Sequence, residues 1–274
     1  MKLKNKTIVI TGGGNGMGRE LVLNLLKREN RVIALDINEA ALLETVQLAG
    51  ERAGALATLV VDISRKESVD ESVDKVIALF GNVDVVINNA GIIQPFKKVS
   101  DLDFAVIKKV FDINFFGTLC MIRAFLPHLL TRPEAHIVNI SSMGGFMPFP
   151  GQAVYGASKA AVKIMSESLV LELAATRVRV TTVFPGAMVT NITVNSGLSA
   201  APPNDGAGAE AQKGILLPSI AAEMIIKGVE KNKNRIFIGQ DSKMLDLLYR
   251  ISPDFACKFI YKQMKSKFVA GFLD

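Results

Sequence analysis

Short aliphatic runs alternate with stretches of helical periodicity from Lys6 to Gly186, and no other feature of the 274 residues constrains the fold as strongly. Lys6–Thr11, Arg31–Leu35, Ala55–Val61, Val83–Asn88, Ala135–Ile140 and Arg177–Phe184 read as strands. A first helix runs through Leu21, Leu25 and Leu26, followed by Asn38–Ala53, Arg65–Phe80, Asp101–Leu130 (one long helix or two abutting) and Gln152–Ala175. Strands that are nearly continuous apolar runs, each separated from the next by a helix, predict a doubly wound parallel α/β sheet covered on both faces. With 49% hydrophobic residues the chain can fill such a core, which excludes disorder. After Pro185-Gly186 the alternation stops at a Gly/Ala/Pro/Ser-rich loop, Ala187–Leu217, before a helix at Pro218–Glu230 and a last strand at Arg235–Ile238. A loop this long is functional or disordered, and this one follows a strand's carboxyl end, where open parallel sheets bind ligands. The expected organisation is one domain over residues 1–240 and an amphipathic extension over 241–274.

The first strand ends in Gly12-Gly13-Gly14-Asn15-Gly16-Met17-Gly18 and runs straight into a helix. Strand, glycine turn and helix N-terminus make an anion site, because backbone N–H groups and the helix dipole favour a pyrophosphate. The spacing is GxxxGxG, and a glycine turn after a first strand can also be only a turn. Asp36 ends the second strand, where a carboxylate can bond ribose hydroxyls and repel a 2′-phosphate, or can cap the next helix. Asn15 stands where a cation would welcome that phosphate, so NAD is expected over NADP. Asp62 can reach an adenine edge or cap a helix, and Asn88-Asn89-Ala90-Gly91 ends the fourth strand at the same sheet edge.

Tyr155 and Lys159 lie at i and i+4 of the Gln152–Ala175 helix, about 5–6 Å apart on one face. A free tyrosine, with a pKa of about 10, is a poor base at neutral pH. An ammonium about 4 Å away would favour the phenolate by roughly 4 kcal/mol at an effective dielectric near 20. Lys159 is therefore expected to lower the Tyr155 pKa and prepare it for proton exchange with an alcohol or ketone. Ser142, thirteen residues upstream, ends the fifth strand within reach; Ser141 is its local rival. The plain alternative is a surface tyrosine with a helical lysine neighbour.

Taken together, Thr11-Gly12-xxx-Gly16-x-Gly18, Asp62, Asn88-Asn89-Ala90-Gly91, Asn114, Ser142, Tyr155-xxx-Lys159 and Pro185-Gly186-xxx-Thr190 stand in the order and spacing of the short-chain dehydrogenase/reductase family, which the chain resembles over roughly residues 5–240. The resemblance implies a seven-stranded Rossmann-type sheet in the order 3-2-1-4-5-6-7 and a homodimer or homotetramer. It implies catalytic roles for Asn114, Ser142, Tyr155 and Lys159, with Lys159 also bonding the nicotinamide ribose and Asn114 marking a local helix break. It implies cofactor contacts from Gly12, Asn15, Gly16, Met17, Gly18, Asp36, Asp62, Ile63, Asn88, Ala90, Gly91, Tyr155, Lys159, Pro185, Gly186, Val189 and Thr190. The expected activity is hydride transfer between NAD(H) and a secondary alcohol or ketone. A catalytically silent NAD-binding sensor or scaffold of the same fold is the rival reading.

Phe96, Met143, Phe146, Met147, Phe149, Met188, Val189 and Ile192 are expected around the substrate, a set almost without charge that suits a lipophilic alcohol or ketone. Met244, Leu245, Leu247, Leu248 and Ile251 make one further apolar stripe, and Ala256, Ile260, Met264 and Phe268 make another, on the face opposite Lys258, Lys262 and Lys265. Such helices dock on their own protein or its dimer, the favoured expectation, or lie peripherally on an anionic membrane. The net charge of +6 comes from dispersed lysines and arginines, with no basic stripe interleaved with aromatics, so nucleic acid is excluded as a partner. Cys120 and Cys257 have no metal or disulfide spacing and fit a reducing cytoplasm; no metal is expected. No secretory leader pattern opens the chain, and no apolar run reaches the roughly 18 residues of a spanning helix.

Overall fold

The computed structural model describes residues 1–188, 192–198 and 216–267. Val189, Thr190, most of the Ala187–Leu217 loop and Phe268 lie outside the described residues. Seven strands, β1 (Thr7–Thr11), β2 (Arg31–Asp36), β3 (Leu56–Val60), β4 (Val85–Asn88), β5 (Ala135–Ile140), β6 (Val178–Pro185) and β7 (Arg235–Ile238), form one sheet in the order β3-β2-β1-β4-β5-β6-β7. Every pairing is parallel, and the sheet order is the expected one.

The continuous apolar runs divide residue by residue between two cores, because successive strand side chains point to opposite faces. Ile8 and Ile10 of β1, with Val32 and Ala34 of β2, join one cluster with α1 (Gly16–Leu26). That cluster also takes in the helix over Pro218–Glu230. Val9, Ile33 and Leu35 join the other, with α3 (Lys66–Phe80) and the helix over Thr118–Leu130. α2 (Glu39–Ala49) adds Leu42 and Ala49 to the first cluster and is shorter than the sequence suggests because Gly50, at φ +55°, turns the chain into a 3-10 segment.

The expected Asp101–Leu130 stretch, one helix or two abutting, is a continuous helical span over Phe104–Leu130 made of α4 (Phe104–Phe111), a π-helical turn (Asp112–Gly117) and α5 (Thr118–Leu130). The span Phe104–Leu130 is long and apolar enough to cross a membrane by length and composition. Its residues Met121, Ile122, Phe125 and Leu129 are instead spent on the second core. α6 (Ala153–Glu172) carries Tyr155 and Lys159, and α7 (Ile192–Asn195) and α8 (Pro218–Glu230) flank the loop after β6. α9 (Gln240–Ile251) and α10 (Pro253–Lys267) close the chain. Leu245, Ala256 and Ile260 pack with Met147, Phe146 and Phe149, while Met244, Leu247 and Ile251 of the first stripe are exposed. The tail therefore covers the segment that follows β5.

Candidate active site

Because all strands run one way, Thr11, Asp36, Asn88, Ile140 and Pro185 end at one edge, and the order reverses between β1 and β4. A cavity of about 470 Å³ opens there. It is lined by Gly12, Asn15, Gly16, Met17, Asp36, Asp62, Ile63, Ala90, Gly91, Ser142, Tyr155, Lys159, Pro185 and Gly186 from the expected set. Asn88, Gly18 and Asn114 do not line it, and neighbouring packing explains each.

Asn88 is buried and donates to Asn139 Oδ1 on β5 at 2.8 Å; its role is to tie strands together. Asn89 takes the place expected for it, lining the cavity and donating to the carbonyls of Thr11 at 3.0 Å and Gly12 at 3.3 Å. Thr11 Oγ1 in turn accepts the N–H groups of Asn89 and Ala90, both at 3.0 Å. Gly18 is a packing glycine: a Cβ there would lie 1.9 Å from the Gly12 carbonyl oxygen, so only glycine lets α1 meet the turn. Gly12 itself has φ +67°, and a Cβ on it would stand 3.1 Å from Ala90 Cα.

Asn15 is the N-cap of α1, its Oδ1 accepting the Gly16 N–H at 2.7 Å. Asp36 lines the cavity while Oδ2 accepts from Gly14 N at 2.9 Å and Oδ1 from Asn38 N at 3.0 Å. Asp62 lines the cavity and accepts from the backbone and hydroxyl of Ser64, but it does not cap α3, whose N-cap Arg65 makes no side-chain bond to the helix.

Asn114 sits fully buried in the π-helical turn. Its Oδ1 accepts Ile92 N at 2.9 Å, and its Nδ2 donates to the Ile92 carbonyl and to Ser158 Oγ, both at 3.0 Å. The Ser158 hydroxyl donates to the Tyr155 carbonyl at 2.7 Å, so Asn114 reaches Tyr155 through one intermediary rather than by contact. A Cβ on Gly91 would stand 3.1 Å from both Asn114 Oδ1 and Lys159 Nζ, so a side chain there would press on the point where the two converge.

Ser142 Oγ accepts Gly144 N at 3.0 Å and shares the cavity wall with Tyr155. Ser141 turns inward instead, donating to the Lys159 carbonyl at 2.8 Å. Lys159 Nζ donates to the Ile140 carbonyl at 2.9 Å and is almost wholly buried. Burial lowers its pKa from 10.5 to about 8. Burial also raises the Tyr155 pKa above its usual 10, against a smaller lowering by Ser142. The lysine adds no lowering of the kind expected: its ammonium is turned to the Ile140 carbonyl, and burial sets the direction.

The sign for Lys159 gives a testable result. A displacement from 10.5 to about 8 corresponds to about 3 kcal/mol against the charged folded form. The Ile140 hydrogen bond offsets part of it, so Lys159→Met should be more stable than the native chain by about 1–3 kcal/mol at neutral pH. This gain is complete below about pH 8 and shrinks from there to about pH 10.5, as the native folded lysine sheds its proton before the unfolded one. Urea unfolding of the cofactor-free protein across that range is the measurement; a variant less stable at pH 7 refutes it.

Of the apolar residues expected around the substrate, Met188 and Ile192 line the cavity. Phe146 meets the stacked rings of Phe184 and Phe237 edge-on, and Met143, Met147 and Phe149 pack with the tail. Ile92 and Ile93 take their place in the wall. The sequence reading missed these two, and Gln94 and Asp241 as well. Gln94 is a polar side chain amid Ile92, Ile93, Pro95 and Phe96, which was a legible signal of a buried amide. Asp241 Oδ2 accepts Ala187 N at 2.8 Å, a contact between α9 and the end of β6 that nothing local announces.

A cavity at the switch point of a doubly wound sheet, floored by a glycine turn, defines a nucleotide-binding protein. The model of the short chain dehydrogenases matches residues 6–200. The chain is 35% identical over 252 residues to SadH of Mycobacterium tuberculosis, a protein named as an oxidoreductase, covering 90% of this chain and 91% of that one. A short-chain dehydrogenase/reductase from Burkholderia phymatum, solved in complex with NAD, superposes with a TM-score of 0.78 at 25% identity, covering 86% and 90% of the two chains. A short chain dehydrogenase from Burkholderia cenocepacia, solved with NADP, shares the fold with a TM-score of 0.78 at 24% identity over 95% and 99%. The chain belongs to the short-chain dehydrogenase/reductase family and is an oxidoreductase of that class.

Proposed function

We propose that the chain transfers hydride between NAD(H) and a lipophilic secondary alcohol or ketone, with Tyr155 as general acid/base. The observation that carries this reading is that Ser142, Tyr155 and Lys159 line the same cavity as Gly91 and Asp36. The residues fit a dinucleotide: the cavity runs from Asp36 past the glycine turn to Gly91, and Gly91 and Gly12 stand where a Cβ would crowd its neighbours. Bound nicotinamide would supply or accept the hydride. Asp36 would hold the adenosine ribose, and Lys159 the nicotinamide ribose. Ser142 would orient the substrate oxygen. Tyr155 would give its proton to that oxygen in reduction and take one from it in oxidation.

Ile92, Ile93, Met188 and Ile192 support an apolar substrate. A series of 2-alkanones with NADH, followed by absorbance of the reduced cofactor, tests this. Each methylene buried contributes about 0.8 kcal/mol, so kcat/KM should rise about fourfold per carbon until the wall is filled. A flat series would remove the lipophilic assignment. No turnover of any ketone or alcohol would leave the silent cofactor-binding protein.

A further inference from the structure

The first N–H groups of a helix have no partner within it and need an acceptor from elsewhere. α6 lacks one of its own: its N-cap, Gln152, makes no side-chain bond to the helix and donates instead to the Gln94 carbonyl at 3.2 Å. The acceptor comes from far away in sequence. Gln94 Oε1 accepts the Tyr155 N–H at 2.9 Å, and its Nε2 donates to the Gly151 carbonyl at 2.9 Å. Gln94 is fully buried, so water does not compete for either bond. Gly151, at φ +78°, brings its carbonyl to Gln94 in a bend where a Cβ would meet the Phe96 ring at 2.8 Å. The segment that carries Gln94 also carries Gly91, beside Lys159, and Ile92, held at both backbone ends by Asn114.

We propose that Gln94 is a positioning residue that caps α6 from outside and fastens the Tyr155 backbone to the cavity-lining loop after β4. The phenol hydroxyl is then set relative to Gly91 and Ser142 by a side chain that touches neither substrate nor cofactor. The functional meaning rests on the reading of Tyr155 as acid/base; the capping itself does not.

The chain has three tyrosines and no tryptophan, so tyrosines labelled with carbon-13 at Cζ give three signals, and Tyr155→Phe identifies one. Gln94→Met keeps the length and loses both bonds. It should bind NADH within about threefold of the native chain. Its Tyr155 amide should exchange at least about tenfold faster relative to the second turn of α6, as a local opening made easier. Its Tyr155 signal should titrate at lower pH, nearer free tyrosine, as burial loosens. Gln94→Glu keeps the acceptor and, while protonated at about pH 5, the donor, so there it should match the native relative exchange rate. Near pH 8 the buried carboxylate faces the Gly151 carbonyl oxygen with like charge, the two are pushed apart, and the relative rate should rise.

Unchanged Tyr155 exchange and titration in Gln94→Met overturn the proposal. Loss of NADH affinity in proportion to those changes also overturns it, by making Gln94 a general prop of the fold. If Gln94→Met does not fold, Gln94→Glu decides, and a relative exchange rate indifferent to pH overturns it. Turnover surviving in Tyr155→Phe would sink the acid/base reading and leave the capping result standing.

Discussion

Tyr155→Phe is expected to lower kcat by at least about a hundredfold, the scale on which a positioned general acid acts. It should leave NADH affinity within about threefold. The substitution removes one hydroxyl and keeps the ring, the Gln94 bond to the backbone N–H, and the Ser158 bond to the backbone carbonyl. The variant isolates proton transfer from architecture for that reason. NADH titration followed by single-turnover kinetics on whichever ketone the native chain reduces is the measurement. If cofactor affinity falls as far as turnover, Tyr155 belongs to the structure of the site and not to its chemistry.

Asp36→Arg should reverse the cofactor preference. Two unit charges about 5 Å apart at an effective dielectric near 20 repel by roughly 3 kcal/mol. Between the Asp36 carboxylate and a 2′-phosphate that is a preference for NAD of about a hundredfold. kcat/KM with both cofactors should favour NAD in the native chain, be nearly indifferent in Asp36→Ala, and favour NADP in Asp36→Arg. The surroundings sharpen the test. Arg19 is engaged by the Gly14 carbonyl at 2.9 Å and by Glu44 at 2.6 Å, its charge already matched. Arg31 opens β2 at the opposite sheet edge, bonding Thr7 and lying over the Phe80 ring. A native chain that preferred NADP would therefore require Arg19 to leave Glu44, and Glu44→Gln would then strengthen NADP binding.

The sheet was legible because its determinants are local. Runs such as Thr7–Thr11 are β-branched at every position around an apolar centre, which suits a strand buried on both faces, and the parallel arrangement follows from the helices between. That common direction alone brings Thr11, Asp36, Asn88, Ser142 and Pro185 toward one edge, so most of the cavity lining could be named from sequence. The strand order and the functional pairing of Ser142 with Tyr155 came with the family resemblance rather than with any local pattern.

What required the tertiary structure is whatever depends on a side chain's orientation or on its neighbours' dielectric. Asn88 and Asn89 are adjacent in sequence, yet the strand pleat sends one to Asn139 and the other to the glycine turn. The i, i+4 spacing of Tyr155 and Lys159 holds, but the ammonium is drawn to the Ile140 carbonyl, and burial rather than charge sets the phenol. Apolar residues after Ser142 read equally as substrate wall or core; α9 and α10 claim Met147 and Phe149 for packing. Gln94 shows the limit most plainly. Its two bonds cross to residues 57 and 61 positions away, and hydrogen bonds made at such a distance have no period in the sequence to betray them.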